Sequence, residues 1–214
     1  MEAVLSLPPE SRLDLVSLAE GLTRAGRLSA KNLLRLKGSG QVRLNPLVFL
    51  AEQKLPDLSH PGGVLDMPAL LDFLSSETGQ PVVDIDPLKI EARAIAEVMS
   101  QGFAERHHIL AVAVTPDEVT VASAEPWISR WEKDLEHVVR RPIRRVLADP
   151  REITRHTKDF YTMAKSVQGA RALNRGEGGN LANLEAMVQL GGKSEPDAND
   201  QHIVSVVDWL LQYA

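Results

Sequence analysis

The sequence predicts an α+β fold: an N-terminal subdomain of short helices, then a small ββαβα sheet-and-helix domain, a flexible linker and a terminal helix. Three observations predict it. Leucines recur at helical spacing between polar caps and glycines up to residue 78. Beyond Gly79, short runs rich in valine and isoleucine alternate with amphipathic stretches. From Ser166 to Asn199 glycine, asparagine and charge replace any apolar periodicity. The expected boundaries are therefore 1–78, 79–165, 166–199 for the linker and 200–214 for the first helix of a following domain.

The first helix is expected to start at Ser11 as N-cap and to bury Leu15, Leu18 and Leu22, with Gly26 as its C′ residue. Ser29 caps a second helix through Leu33 and Leu36, which Gly38-Ser39-Gly40 ends. Asn45-Pro46 is a cap followed by a proline at the first helical position, leading into Leu47, Leu50 and Ala51. Asp66 caps a helix presenting Leu70, Leu71 and Leu74, closed by Gly79. Isolated helices this short are marginal in water, so they must pack on one another or on something larger. Val82, Val83 and Ile85 read as a short strand broken by Asp86-Pro87, and Ala92 to Ser100 as a helix. Ile109 to Val114 is apolar on both faces, as a central strand is. A Thr115-Pro116-Asp117-Glu118 turn joins it to Val119–Ser123 as an antiparallel partner. Trp127 to Val139 is an amphipathic helix on Ile128, Trp131, Leu135 and Val138; Pro142 stops it, and Ile143 to Ala148 is a further strand. Asp149-Pro150 starts a closing helix through Ile153 and Phe160. In the linker a weak helix is expected near Leu181 to Leu190. Asp200 then caps the apolar run Ile203, Val206, Val207, Leu210 and Leu211, which needs a partner surface: it docks back or opens the next domain.

Composition excludes several classes of function. The chain of 214 residues is 43% hydrophobic and 25% charged, an ordinary globular balance, and it contains no cysteine. Disulfides, thiolate metal sites and a cysteine nucleophile are thereby ruled out, which fits a reducing, cytoplasmic setting. Apolar runs such as Ile109–Val114 fall far short of the ~20 residues of a membrane span, and Pro8, Pro9 and Glu10 interrupt any signal-peptide core. A net charge of −5 and an aromatic content of 4% argue against nucleic-acid binding.

Motifs for catalysis are equally sparse. Gly191-Gly192-Lys193-Ser194 resembles the end of a phosphate-binding loop, but Met187 stands where its first glycine belongs and Glu195-Pro196-Asp197 follows where a helix should begin. Neighbouring His107 and His108 point to different faces, and His60, His137, His156 and His202 are scattered, so no metal or cofactor is expected. No G-x-S-x-G elbow exists, and Asp84 and Asp86 read as strand-end and turn residues rather than an acid–base pair. One basic concentration stands out in this acidic chain: Arg140, Arg141, Arg144, Arg145, Arg151 and Arg155, with Lys158 following. It reads either as a solvated edge balanced by Glu132, Asp134 and Glu136 or as a docking face for an acidic partner.

Three stretches together carry a resemblance. They are Asn45 to Gln53 with Thr78-Gly79-Gln80-Pro81 through Ile90; Ala104 to Val114 with Val119–Ala122 and Ala124-Glu125-Pro126; and Asp197 to Ala214. This pattern resembles the N-terminal region of the type II secretion and type IV pilus assembly ATPases, the GspE/PulE-like family, over residues 10–214. The resemblance implies a non-catalytic docking and coupling module. Its partners would be the cytoplasmic domain of an inner-membrane platform protein and the chain's own ATPase core, with hexamers formed only through that motor. It also implies a cytoplasmic protein held at the inner membrane through its partner, not inserted, with ATP and magnesium confined to the core beyond Ala214. A flexible linker of ~34 residues would span roughly 30 Å and let the module stay engaged while the ring moves.

Some members of this family bind cyclic di-GMP through a pattern like R-L-G-x-x-L-x-x-x-G-x-[LI]-S with a later Gln. Leu18, Leu22, Gly26, Leu28 and Ser29 resemble it, but Ser17 and Ala19 replace the Arg and Gly, and Lys37 or Gly38 falls where Gln is wanted. Without the guanidinium the strongest phosphate contact is lost, so cyclic di-GMP sensing is the alternative rather than the expected role.

Overall fold

The computed structural model describes residue 5, residues 7–39 and residues 44–175. Helices α1 (Leu15–Arg24), α2 (Ala30–Lys37), α3 (Pro46–Glu52) and α4 (Met67–Thr78) come first. Each starts on a short polar side chain that accepts from an otherwise unpaired amide: Asp14, Ser29, Asn45 and Asp66. The first helix starts on Asp14 rather than the expected Ser11. Asp14 Oδ1 accepts from both Val16 N and Ser17 N at 3.0 Å, whereas the Ser11 amide is turned back onto Pro8 O at 3.2 Å. A carboxylate at the positive end of the helix is the stronger cap. Gly26 and Gly79 take φ of 72° and 70°, the left-handed conformation that ends a helix with least strain in glycine.

Leu18, Leu22, Leu47, Leu50, Leu70 and Leu74 are buried, so each helix turns its leucine stripe inward as the spacing requires. Gly21 lets α1 approach closely: a Cβ there would stand 3.1 Å from Leu5 and 3.3 Å from the Phe73 ring. Between the helix pairs, Arg27 forms a largely buried ion pair with Asp57 and donates from Nη1 to Ala69 O at 3.0 Å, while its own carbonyl accepts from Leu58 N at 3.0 Å.

The second part of the fold is a three-stranded sheet of order β1-β2-β3: β1 (Ile109–Val114), β2 (Val119–Ser123) and β3 (Ile143–Leu147). Strands β1 and β2 form the expected antiparallel hairpin, Ile109 opposite Ser123 and Val114 opposite Val119, with a bulge between Ala111 and Ala113. Strand β3 runs parallel to β2, Val119 opposite Ile143, so the chain needs a crossover. Helix α7 (Arg130–Val139) supplies it. The ββαβα layer is therefore as the sequence predicts.

Three local readings differ. Val82 to Ile85 makes only a bridge, Val82 to Leu147, rather than a strand. Val83 N and Leu147 N each bond at 2.8 Å, to Leu147 O and Pro81 O, but Pro81 has no amide to extend the ladder and Asp86-Pro87 ends the run. The helix expected over Ala92 to Ser100 ends at Val98 as α5 (Ala92–Val98), where Met99 turns extended, and an unexpected helix α6 (Gln101–His107) follows, capped by Ser100, whose Oγ accepts from Phe103 N at 3.2 Å. Helix α7 starts at Arg130, not Trp127: Ile128 N bonds Glu125 O in a turn, and Glu10 holds Ser129 through both its amide and its hydroxyl.

The sheet layer centres on rings. Trp131 is 1% exposed and donates from its indole nitrogen to Ile128 O at 3.1 Å. Helix α8 (Pro150–Arg175) buries Ile153, Phe160, Tyr161 and Ala164, positions on one helical face. The Tyr161 hydroxyl donates to Met99 O at 2.7 Å, and burial pushes its phenol up to about 12. The chain divides into two compact units, Met1–Ser166 and Val167–Ala214. Helix α8 continues to Arg175, into the stretch expected as linker, since Ala, Arg and Leu outweigh Gly169 there. The expected helices at 181–190 and 200–214, the rest of the linker and the Gly191–Ser194 run lie outside the described residues.

Candidate docking surface

The basic cluster of the sequence resolves into separate places in the first unit. Arg140 ends α7 in the left-handed conformation at φ 54°, Arg141 Nη1 donates to Thr115 O at 3.0 Å, and Arg144 lies 3.7 Å from Glu118. These three gather at the turn end of the β1–β2 hairpin. Arg145, one residue on, faces the other side of β3, as strand alternation demands. Its guanidinium bonds Pro126 O and lies 3.8 Å from Glu132, while its buried Nε has no hydrogen-bond partner. Burial holds its pKa below the usual arginine value despite Glu132 and Glu10. Arg145 thus faces the packing between α7 and the Pro126 turn rather than solvent, and it drops out of any exposed docking face.

Arg151 and Arg155 lie elsewhere, on the exposed face of α8. Asp149 engages the Arg151 guanidinium from both oxygens, at 2.7 Å to Nη2 and 3.1–3.2 Å to Nε. Arg155 Nη2 is 3.1 Å from Nε2 of the buried His156, whose pKa is pushed down by burial and by the Arg155 charge. With Lys158 these arginines form a stripe at i, i+4 and i+7 along one wall of a cavity of about 1010 Å³. The other walls come from the residues that start α1, the end of α2, the start of α3 and the residues that follow β2. Arg12, which sequence reasoning missed, also lines it, because only folding brings the segment before α1 against Glu125. Glu125 accepts from Leu13 N at 2.9 Å, and burial raises its carboxyl pKa although that bond and the Arg12 charge oppose it.

At the positions that resemble a cyclic di-GMP pattern, Ser17 Oγ donates to Asp14 at 2.5 Å and Ala19 is fully buried, so neither offers a cationic contact. Among the described residues no group of three His, Asp or Glu side chains could hold a metal ion, and no helix is long and apolar enough to cross a membrane. The 214 residues contain no complete phosphate-binding loop, and the segment lacks an ATPase core.

Residues 78–167 match the MshEN domain family. The type IV pilus assembly ATPase TfpB of Acinetobacter baylyi is 34% identical over 200 residues, which is 91% of this chain and 34% of that protein. The chain therefore spans about a third of the length of this curated relative. Among solved structures, MshE with cdg covers 70% of this chain and 100% of its own at 18% identity and a TM-score of 0.43. The N-terminal domain of XpsE covers 69% of this chain and 97% of its own at 17% identity and a TM-score of 0.44. The domain match and the long alignment with TfpB support reading the chain as an N-terminal region of a type II secretion or type IV pilus assembly ATPase.

Proposed function

We propose that this chain is a non-catalytic docking and coupling module, linking a type II secretion or type IV pilus motor to the cytoplasmic domain of an inner-membrane platform protein. The observation that carries the reading is an alignment with TfpB across 91% of a chain that has no phosphate-binding loop of its own. Exposed cations support it: Arg140 and Arg144 beside the hairpin turn, and Arg151 and Arg155 on α8, present positive charge on an otherwise acidic protein. The module is peripheral to the inner membrane through its partner, and its hexameric form arises through the ATPase core. Isothermal titration against the cytoplasmic domain of the platform protein tests this. Saturable binding in the micromolar range supports it, and no binding at tens of micromolar overturns it.

Cyclic di-GMP sensing is the rival, because the related MshE was solved with cdg. Here the Ser17 and Ala19 positions lack the guanidinium and the open glycine that would grip a phosphate. A thermal-shift titration separates the two: a ligand at 100 times its Kd adds about 2.7 kcal/mol, so an unchanged midpoint is the expected result.

A further inference from the structure

The groove beside α8 combines an apolar floor with cations that no carboxylate holds closely. Leu13, Leu36 and Val48 are buried in its floor, while Val16 and Leu44 stay 40% and 52% exposed at its rim. Its acids are engaged locally. Asp14 caps α1, Glu125 accepts from Leu13 N, and Asp159 lies 3.8 Å from His156 Nδ1. Two of its cations are also engaged, Lys37 by Glu20 at 2.7 Å and Arg151 by Asp149 at 2.7 Å. Three are not held this way. Arg155 is 3.9 Å from its nearest carboxylate, Glu152, and neither Arg12 nor Lys158 forms a close ion pair among the described residues.

We infer that this groove seats an acidic amphipathic helix of a partner protein, its apolar stripe on the Leu13–Leu36–Val48 floor and its carboxylates toward Arg12, Arg155 and Lys158. The inference rests on the proposed docking role and names the surface within it. Apolar anchors in a groove supply the affinity of helix recognition, and rim charge chooses the partner. A nucleic acid fits poorly, because no Phe, Tyr or Trp lines the groove to stack on bases.

Fluorescence anisotropy with the folded 214-residue chain tests the groove. The probe is a labelled peptide of about 16 residues, four to five helical turns, with leucines on one face and glutamates on the other. A second peptide carries lysine in place of each glutamate. Wild type is expected to hold the glutamate peptide at least tenfold more tightly than the lysine one, with affinity falling as salt rises. The exposed double substitution Arg155→Glu with Lys158→Glu should weaken it by about tenfold or more, while Lys31→Glu with Lys133→Glu, both exposed and outside the groove, leaves it unchanged; circular dichroism checks that both variants fold. Equal binding of the two peptides, absent binding, indifference to the α8 double substitution, or a single-stranded oligonucleotide held as tightly would each overturn the assignment. The platform domain separates this from the docking role. If it binds wild type and the α8 double variant equally, the groove assignment falls and docking stands. If it does not bind while the glutamate peptide does, docking falls and the groove stands.

Discussion

Helices α1–α4 and the layer built on β1–β3 both bury aliphatic side chains, yet they are held in different ways. The helical part uses local polar devices: side-chain caps on α1–α4, left-handed glycines after α1 and α4, and the ion pair between Arg27 and Asp57 that joins its loops. The sheet layer uses long-range packing, with Trp131, Phe160 and Tyr161 sunk against strands and helices distant in sequence. A small helix pair has too little surface to order itself by burial alone, so its termini must be fixed residue by residue. A sheet with helices on it orders its strands by shared burial and tolerates imprecise ends. The contrast implies that the sheet layer breaks at a ring, whereas the helical part breaks at a charge.

The largest effect is expected at Trp131. With the ring 1% exposed, Trp131→Ala should cost about 3–5 kcal/mol in denaturant unfolding through the cavity it leaves and the lost bond to Ile128 O. A loss under about 1 kcal/mol would mean the layer does not depend on its rings. Next comes Asp57→Ala, which should cost about 2–3 kcal/mol. It strands the Arg27 guanidinium with Ala69 O and a little water, and that residual solvation keeps the loss below that of a fully buried pair. Burial pushes the Asp57 carboxyl up, but the bonds from Arg27 and Ser59, with the Arg27 charge, outweigh it and hold the carboxyl well below the usual carboxylate range. A depressed folded pKa contributes stability above the unfolded value of 3.8, and that stability is lost as pH falls below it. Wild type should therefore lose stability below about pH 4 more steeply than Asp57→Ala. Parallel acid-unfolding curves for the two proteins would sink the idea. Asp14→Ala is smaller still, about 1 kcal/mol for a lost N-cap, and serine at that position should restore most of it.

These devices differ in how visible they are in sequence. Ser29, Asn45 with Pro46, Asp66 and Gly79 are legible because cap and glycine chemistry acts within a turn of its own position. Ser11 and Asp14 show the limit: both are acceptable caps three residues apart, and the hold on the preceding segment, with Glu10 N on Trp127 O, adds to the carboxylate's advantage in deciding between them. Helix α6 escapes the sequence because Ser100, read there as the end of one helix, is the cap of the next. The separation of Arg144 from Arg145 follows from strand period, yet the burial of Arg145 depends on the Pro126 turn packing across it. The groove was half legible, since Arg151, Arg155 and Lys158 share a helical face, but Arg12 joins them only through long-range packing of the first helix on the sheet.

The smallest prediction concerns that packing, where the two parts meet at Glu125. Its oxygen accepts from Leu13 N, and burial raises its pKa above the ordinary 4.5 more than that bond and the Arg12 charge lower it. A raised folded pKa means that the contribution is fully present below the unfolded value and is lost as pH rises, so an ionised Glu125 strains the join at neutral pH. Glu125→Gln retains an oxygen for Leu13 N and removes the charge. It should leave stability almost unchanged near pH 4 and raise it by a fraction of about 1 kcal/mol at pH 7.5. Thermal unfolding of both proteins at the two pH values reads the difference. An equal loss at both would show that the hydrogen-bond geometry at Leu13 matters more than the buried charge. A loss confined to pH 7.5 would show that attraction to Arg12 outweighs desolvation, and that the groove's acid already serves as a partner for one of its own cations.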